Sequence, residues 1–189
     1  MGKDWKAAWQ PMVDAVGKDF SDGKPIEGAD VVEKGLIRRY LEPLEFDCAL
    51  HYDEEVAKQH GYKTIIAPYS SIITWAQTPY WIPGKPLFTS NEYHAQPLNS
   101  PVTDPGLIVD LMPRTSDYVV TNIEADYLLP IYVGDRLSKV GLILKSCIPK
   151  ETSVGKGAFM IWESNIINQD GETVAVYRME TYSYNPHGT

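Results

Sequence analysis

The spacing of hydrophobic positions changes along the chain, and with it the expected structure. From Trp5 to Phe20 the apolar residues Trp5, Ala8, Trp9, Met12, Val13 and Val16 recur at intervals of three and four, which marks one face of an amphipathic helix. Gly23 and Pro25 end it. A second helix is expected from Val32 to about Leu41, because Pro43 disfavours helical dihedrals in the residue before it. Asp53 is the expected N-cap of a third helix, with Glu54 and Glu55 in its first turn and Gly61 as the stop after His60.

Residues 64–83 carry no charged side chain, a run long enough to suggest a membrane span. Its prolines argue otherwise. Pro68, Pro79 and Pro83 leave only Tyr69 to Thr78 free to be an uninterrupted helix, and about 20 residues are needed to cross a bilayer core. A short helix that is apolar all round is instead one buried inside protein.

The C-terminal third reads differently. Tyr118 to Leu129, Arg136 to Cys147, Gly157 to Gln169 and Glu172 to Tyr184 are rich in Val, Ile, Tyr and Thr and partly alternate apolar with polar, as strands do. The turns between them fall at Val133-Gly134-Asp135, at Lys150 to Gly157 and at Asn168-Gln169-Asp170-Gly171. Helices first and antiparallel strands after give an α+β pattern. Residues 85–115 contain five prolines and little periodicity; a loop of that length serves as a lid or a partner-binding segment.

Composition narrows the class. At 189 residues, 43% hydrophobic and 22% charged, the chain can bury one good core. The expected division is a helical extension over 1–28, a single domain over 29–185 and a tail over 186–189. A net charge of −8 argues against nucleic acid or an anionic membrane as partner, and Arg38-Arg39 is the longest basic cluster. Cys48 and Cys147 make neither a disulfide framework nor, with four histidines dispersed, a metal site. The residues imply no cofactor and no metal, and a reducing cytoplasm is the expected compartment.

The chemistry concentrates between Arg38 and Trp75. Asp47 and His51 lie four residues apart in one short polar element, so that a carboxylate could hold a water while an imidazole moves a proton. Asp-x-x-x-His alone is a weak signal, met far more often in a solvated loop or a helix cap. Cys48 beside His51 also admits a thiol nucleophile and hence thioester hydrolysis.

The run Glu45-Phe46-Asp47-Cys48-Ala49-Leu50-His51, followed by a short helix, Gly61 and Ala67-Pro68, resembles the MaoC-like hydratases and dehydratases, in which a Gly-Asp-x-Asn-Pro-x-His motif precedes the central helix. Tyr127 to Leu137, YLLPIYVGDRL, is similar to the strand, turn and strand at the matching place in those proteins. The longer N-terminal part and IRRYLEPLEFD look most like the N-terminal dehydratase-domain branch, related to the dehydratase of fungal-type fatty acid synthase. This resemblance covers roughly residues 26–184 and implies a hot-dog fold, an antiparallel sheet wrapped around a central buried helix. It further implies an (R)-specific enoyl-thioester hydratase or 3-hydroxyacyl-thioester dehydratase, acting on an acyl-CoA or acyl-carrier thioester as a homodimer or with another hot-dog subunit. Carried onto this chain, Asp47 and His51 would be the catalytic pair, with Pro68, Tyr69, Ser70 and Cys48 around the substrate. Aligned without gaps on His51, however, the motif's Asp falls on Phe46, its Asn on Cys48 and its Pro on Ala49. A one-residue bulge would return Asp47 to the site; without one, the chain is a non-catalytic subunit that shapes the acyl pocket for another.

Overall fold

The computed structural model describes residues 4–88, 90–92 and 110–188. Among the described residues five strands form one antiparallel sheet: β1 (Ile26–Glu27), β2 (Asp117–Tyr127), β3 (Ser138–Glu151), β4 (Gly155–Ile167) and β5 (Thr173–Pro186), in the order β1-β3-β4-β5-β2. The four strands read from the sequence are β2 to β5. Gly171, at φ 79°, supplies the left-handed residue of the β4–β5 turn.

The described residues also form the helices α1 (Gln10–Asp14), α2 (Lys34–Leu41), α3 (Glu54–Gln59) and α4 (Ile72–Ala76). Asp53 caps α3 as expected, its carboxylate accepting from the amides of Glu55 and Val56. The first helix is shorter than its periodicity suggests. A 3₁₀ turn over Ala7–Trp9 leads into α1, and after Gly17 (φ 93°) the chain turns to pair with β3, through Gly17 N–H to Leu144 O (2.7 Å) and Phe20 N–H to Leu142 O (2.9 Å). A free strand edge is thereby covered, which outweighs another helical turn.

Alternation along β4 fixes the faces. Ala158, Met160, Trp162 and Ile166 are all buried and point to one side. Ile166 joins Ile72, Trp75 and Ala76 of α4, together with Ile37, Leu41, Ile131, Leu137 and Ala175. Further along the same face, Ala158, Met160 and Trp162 pack with Trp9 and Met12 of the N-terminal segment and with Leu142 and Leu144. The curved sheet thus wraps a short central helix, the hot-dog arrangement, and the N-terminal segment fills the rest of the groove. At Gly28 a Cβ would stand 1.7 Å from the Trp75 carbonyl oxygen, so the chain entering α2 passes the central helix at a distance only glycine allows. At the far end β5 runs to Pro186, and the His187 ring lies 2.8 Å from Thr152 O.

Candidate active site

His51 ends a 3₁₀ turn, Ala49–His51, held by its own amide to Cys48 O (3.1 Å) and by Asp53 N–H to Ala49 O (2.9 Å). The residue is buried, and its Nδ1 lies 2.8 Å from Ile66 O. A carbonyl can only accept, so Nδ1 carries the proton, and neutral His51 has its lone pair at Nε2. Ile66 is fixed in turn, with its amide donating to Leu50 O (3.3 Å) and a bridge to Tyr132. The next residue, Ala67, donates to Ile131 O (2.7 Å). The chain from His51 to the start of the central helix is therefore pinned on both sides.

Pro68 is buried and extended (φ −64°, ψ 134°), and its carbonyl accepts from the hydroxyl and the amide of Ser71. A 3₁₀ turn, Tyr69–Ser71, opens the helix that continues as α4. The helix expected over Tyr69 to Thr78 thus covers residues 69–76, its first turn tightened. Among the described residues the amides of Tyr69 and Ser70 donate to no protein group, as befits a first turn whose donors face outward. Tyr69 stacks on Tyr127 of β2 with centroids 4.8 Å apart, and Tyr40 of α2 donates to Ser70 Oγ at 3.1 Å. Burial raises the Tyr69 phenol above its ordinary range, with Tyr62 and Tyr132 adding to the effect. Burial likewise raises Tyr127, with Tyr40 adding to it. Phenols thus crowd the start of the central helix. Their positions are scattered from 40 to 132 in sequence, and no local pattern gathers them.

The carboxylate is placed otherwise. Asp47 is exposed and, among the described residues, makes no hydrogen bond or ion pair. Phe46 packs on the His51 ring instead, centroids 5.7 Å apart, and its carbonyl accepts from Tyr52 Oη at 2.8 Å. Cys48 is half-buried, and its carbonyl, not its thiol, meets His51. Asp135, in the second block, is buried and spends its carboxylate on the Tyr132 amide (2.7 Å) and the Gln169 side chain (3.2 Å), which makes it a turn residue. A cavity of about 650 Å³ lies against Trp81, Pro86, Leu87 and Phe88, at the start of the proline-rich loop; most of that loop, His94 included, lies outside the described residues. No helix among the described residues is long and apolar enough to cross a membrane.

A sheet wrapped around a short central helix, with a buried histidine at the approach to that helix, is a hot-dog domain. The chain belongs to the family described as FAS1-like, dehydratase domain region, whose model matches residues 15–177. A "Probable enoyl-CoA hydratase alpha subunit" of Thermomonospora curvata is 25% identical over 172 residues, covering 88% of this chain and 49% of the relative. The chain therefore spans about half the length of that curated relative. Among solved structures, the ChsH1-ChsH2 complex from Mycobacterium tuberculosis aligns at TM-score 0.65 and 22% identity, over 97% of this chain and 93% of that one. The C-terminally truncated HadBC (3R-hydroxyacyl-ACP dehydratase) complex, also from Mycobacterium tuberculosis, aligns at 0.57 and 16%, over 86% of this chain and 98% of that one. These two likenesses establish the fold.

Proposed function

We propose that the chain is one hot-dog subunit of a heteromeric (R)-specific-type hydratase, adding or removing water across the 2,3 double bond of an acyl-CoA-like thioester. The observation that carries this is His51, buried in a single tautomer against Ile66 O, two residues before the Pro68 that opens the central helix. Its Nε2 is then the chain's acid–base atom, moving the proton that leaves water or returns to it. The amides of Tyr69 and Ser70 supply donors for the thioester oxygen, where negative charge builds as water adds. Asp47, on the exposed side of the same loop, would act on the water only through a bridging water. The heteromer is supported by relatives whose names describe an alpha subunit and two-component complexes.

A pocket-shaping subunit without its own catalysis is the second reading, favoured by Phe46 where the motif would place a carboxylate. Hydration of a panel of enoyl-CoA thioesters by the purified chain, alone and with any co-purifying hot-dog subunit, separates the two. Activity that His51→Ala removes supports the catalytic subunit. Activity of the complex that no change at Asp47, Cys48 or His51 alters supports the second.

A further inference from the structure

Tyr40 is the penultimate residue of α2, half-buried against the core around the central helix, and its hydroxyl lies 3.1 Å from Ser70 Oγ, thirty residues on. A phenol is a far stronger acid than an alcohol, so Tyr40 is the donor and Ser70 the acceptor. Ser70 then keeps its own proton, and among the described residues that hydroxyl donates to nothing. A hydroxyl that accepts one hydrogen bond is polarised into a better donor of the next. Its chain neighbour Tyr69 stacks on Tyr127 with centroids 4.8 Å apart, while Ser70 itself is exposed and open to a ligand.

We infer that Ser70 Oγ–H is a side-chain donor to the thioester carbonyl oxygen, and that Tyr40 is the positioning residue that aims it. This rests on the hydratase reading above. As water oxygen bonds to C3, the π electrons shift toward the carbonyl oxygen, and C2 then takes a proton; the developing oxyanion is what the hydroxyl meets. No bond to Ser70 forms or breaks. The donor supplements the two backbone amides, and it comes from an α2 contact that lies outside the Asp47–His51 segment.

Acetoacetyl-CoA tests it, as a 3-ketoacyl thioester that cannot be hydrated and whose enolate absorbs in the ultraviolet. Bound to the purified chain or its complex, it should enolise about one pH unit lower with wild type than with Ser70→Ala, since one lost donor to an oxyanion costs on the order of tenfold or more. Tyr40→Phe should shift enolisation the same way by less, and the double variant should match Ser70→Ala, because Tyr40 acts through Ser70. Ser70 is exposed and Tyr40→Phe keeps the ring, so both variants retain the fold. Binding with the same enolisation in wild type and Ser70→Ala, or additive effects in the double variant, would overturn the inference and leave the hydratase reading standing. No binding of acetoacetyl-CoA in either form would overturn both.

Discussion

The Phe46 ring packs on the His51 ring, centroids 5.7 Å apart and planes inclined by 44°, while Asp47 next to it is exposed. Both residues are exposed, Phe46 by 47%, yet it is the Phe46 ring that meets the imidazole. The two positions of the motif have in effect exchanged: an aromatic occupies the side facing the histidine, and the carboxylate lies outside.

That exchange ranks the variants. On the proposed reading, removing the buried imidazole, His51→Ala, should lower turnover by about 100-fold or more, whereas Asp47→Asn should cost nearer tenfold, since an exposed carboxylate would reach the reaction only by way of a water. Steady-state hydration kinetics with circular dichroism as a folding control measure both. Equal losses would place Asp47 in direct contact with the reacting water, and no loss at Asp47 would assign the carboxylate to a partner.

Among the described residues no strand pairs with the outer edge of β2, and that predicts assembly. β2 is the terminal strand, and Val119, Val120 and Ile123 are exposed along it, Ile123 by 56%. The opposite edge, on β3, is already paired with the N-terminal segment. An exposed apolar strand edge seeks another strand, so the chain should form a dimer or a larger even-numbered assembly. Ile123→Lys should dissociate it without unfolding the subunit, because a charge on an edge strand blocks pairing while the side chain leaves no cavity behind. Light scattering against a thermal melt distinguishes the two effects.

The four long strands, the Asp53 cap and the glycine of the β4–β5 turn were all legible because each rests on residues close in sequence. The N-terminal segment was not: its apolar stripe fixes a helix but not which surface covers it, and that surface is made of Leu142, Leu144, Met160 and Trp162, more than a hundred residues away. The shortening of the first helix follows from the same cause, since pairing with β3 competes for residues 17–20. Tyr40 with Ser70, and Tyr69 with Tyr127, are likewise meetings of distant segments that carry no periodic signal.

Two glycines should respond in opposite directions to alanine. At Gly28 the new Cβ would meet the Trp75 backbone oxygen at 1.7 Å, and backbone cannot swing aside; Gly28→Ala should cost about 3 kcal/mol or more by overpacking. At Gly35, in the first turn of α2, nothing lies within 4 Å. Gly35→Ala should therefore stabilise by about 0.5 kcal/mol through helix propensity. Urea midpoints of the two variants give the comparison.

Trp9 tests whether the N-terminal segment belongs to the core. It is only 3% exposed and packs in the cluster containing Trp162 and Leu144. Trp9→Ala should destabilise the whole subunit by about 3 kcal/mol or more, as for other large buried aromatics. If the segment were a detachable arm, the variant would instead leave the melting temperature of the sheet unchanged and only raise amide exchange in residues 4–20.

Asp19 ties that segment to β3 in a way that pH should loosen. One carboxylate oxygen accepts from the amide of Leu142 at 2.9 Å and from that of Ser21 at 2.8 Å. The Leu142 amide first, and the Ser21 amide after it, hold the Asp19 carboxyl below its ordinary range. A folded-state pKa below the unfolded one means that the unfolded chain binds the proton first, so the contribution is complete above the ordinary carboxylate pKa of about 4 and fades as pH falls through the depressed value. Asp19→Asn keeps an acceptor oxygen but removes the charge. Relative to wild type it should be less stable by a constant amount at neutral pH, with the gap closing only below about pH 4. Because the residue is exposed, solvent screens the effect and the gap should be small. Denaturant midpoints across the acid range measure it, and faster exchange of the Leu142 amide in Asp19→Asn would locate the loosening at this contact. A gap that persisted unchanged well below pH 3 would mean that the hydrogen bonds themselves, and not the charge, hold the segment in place.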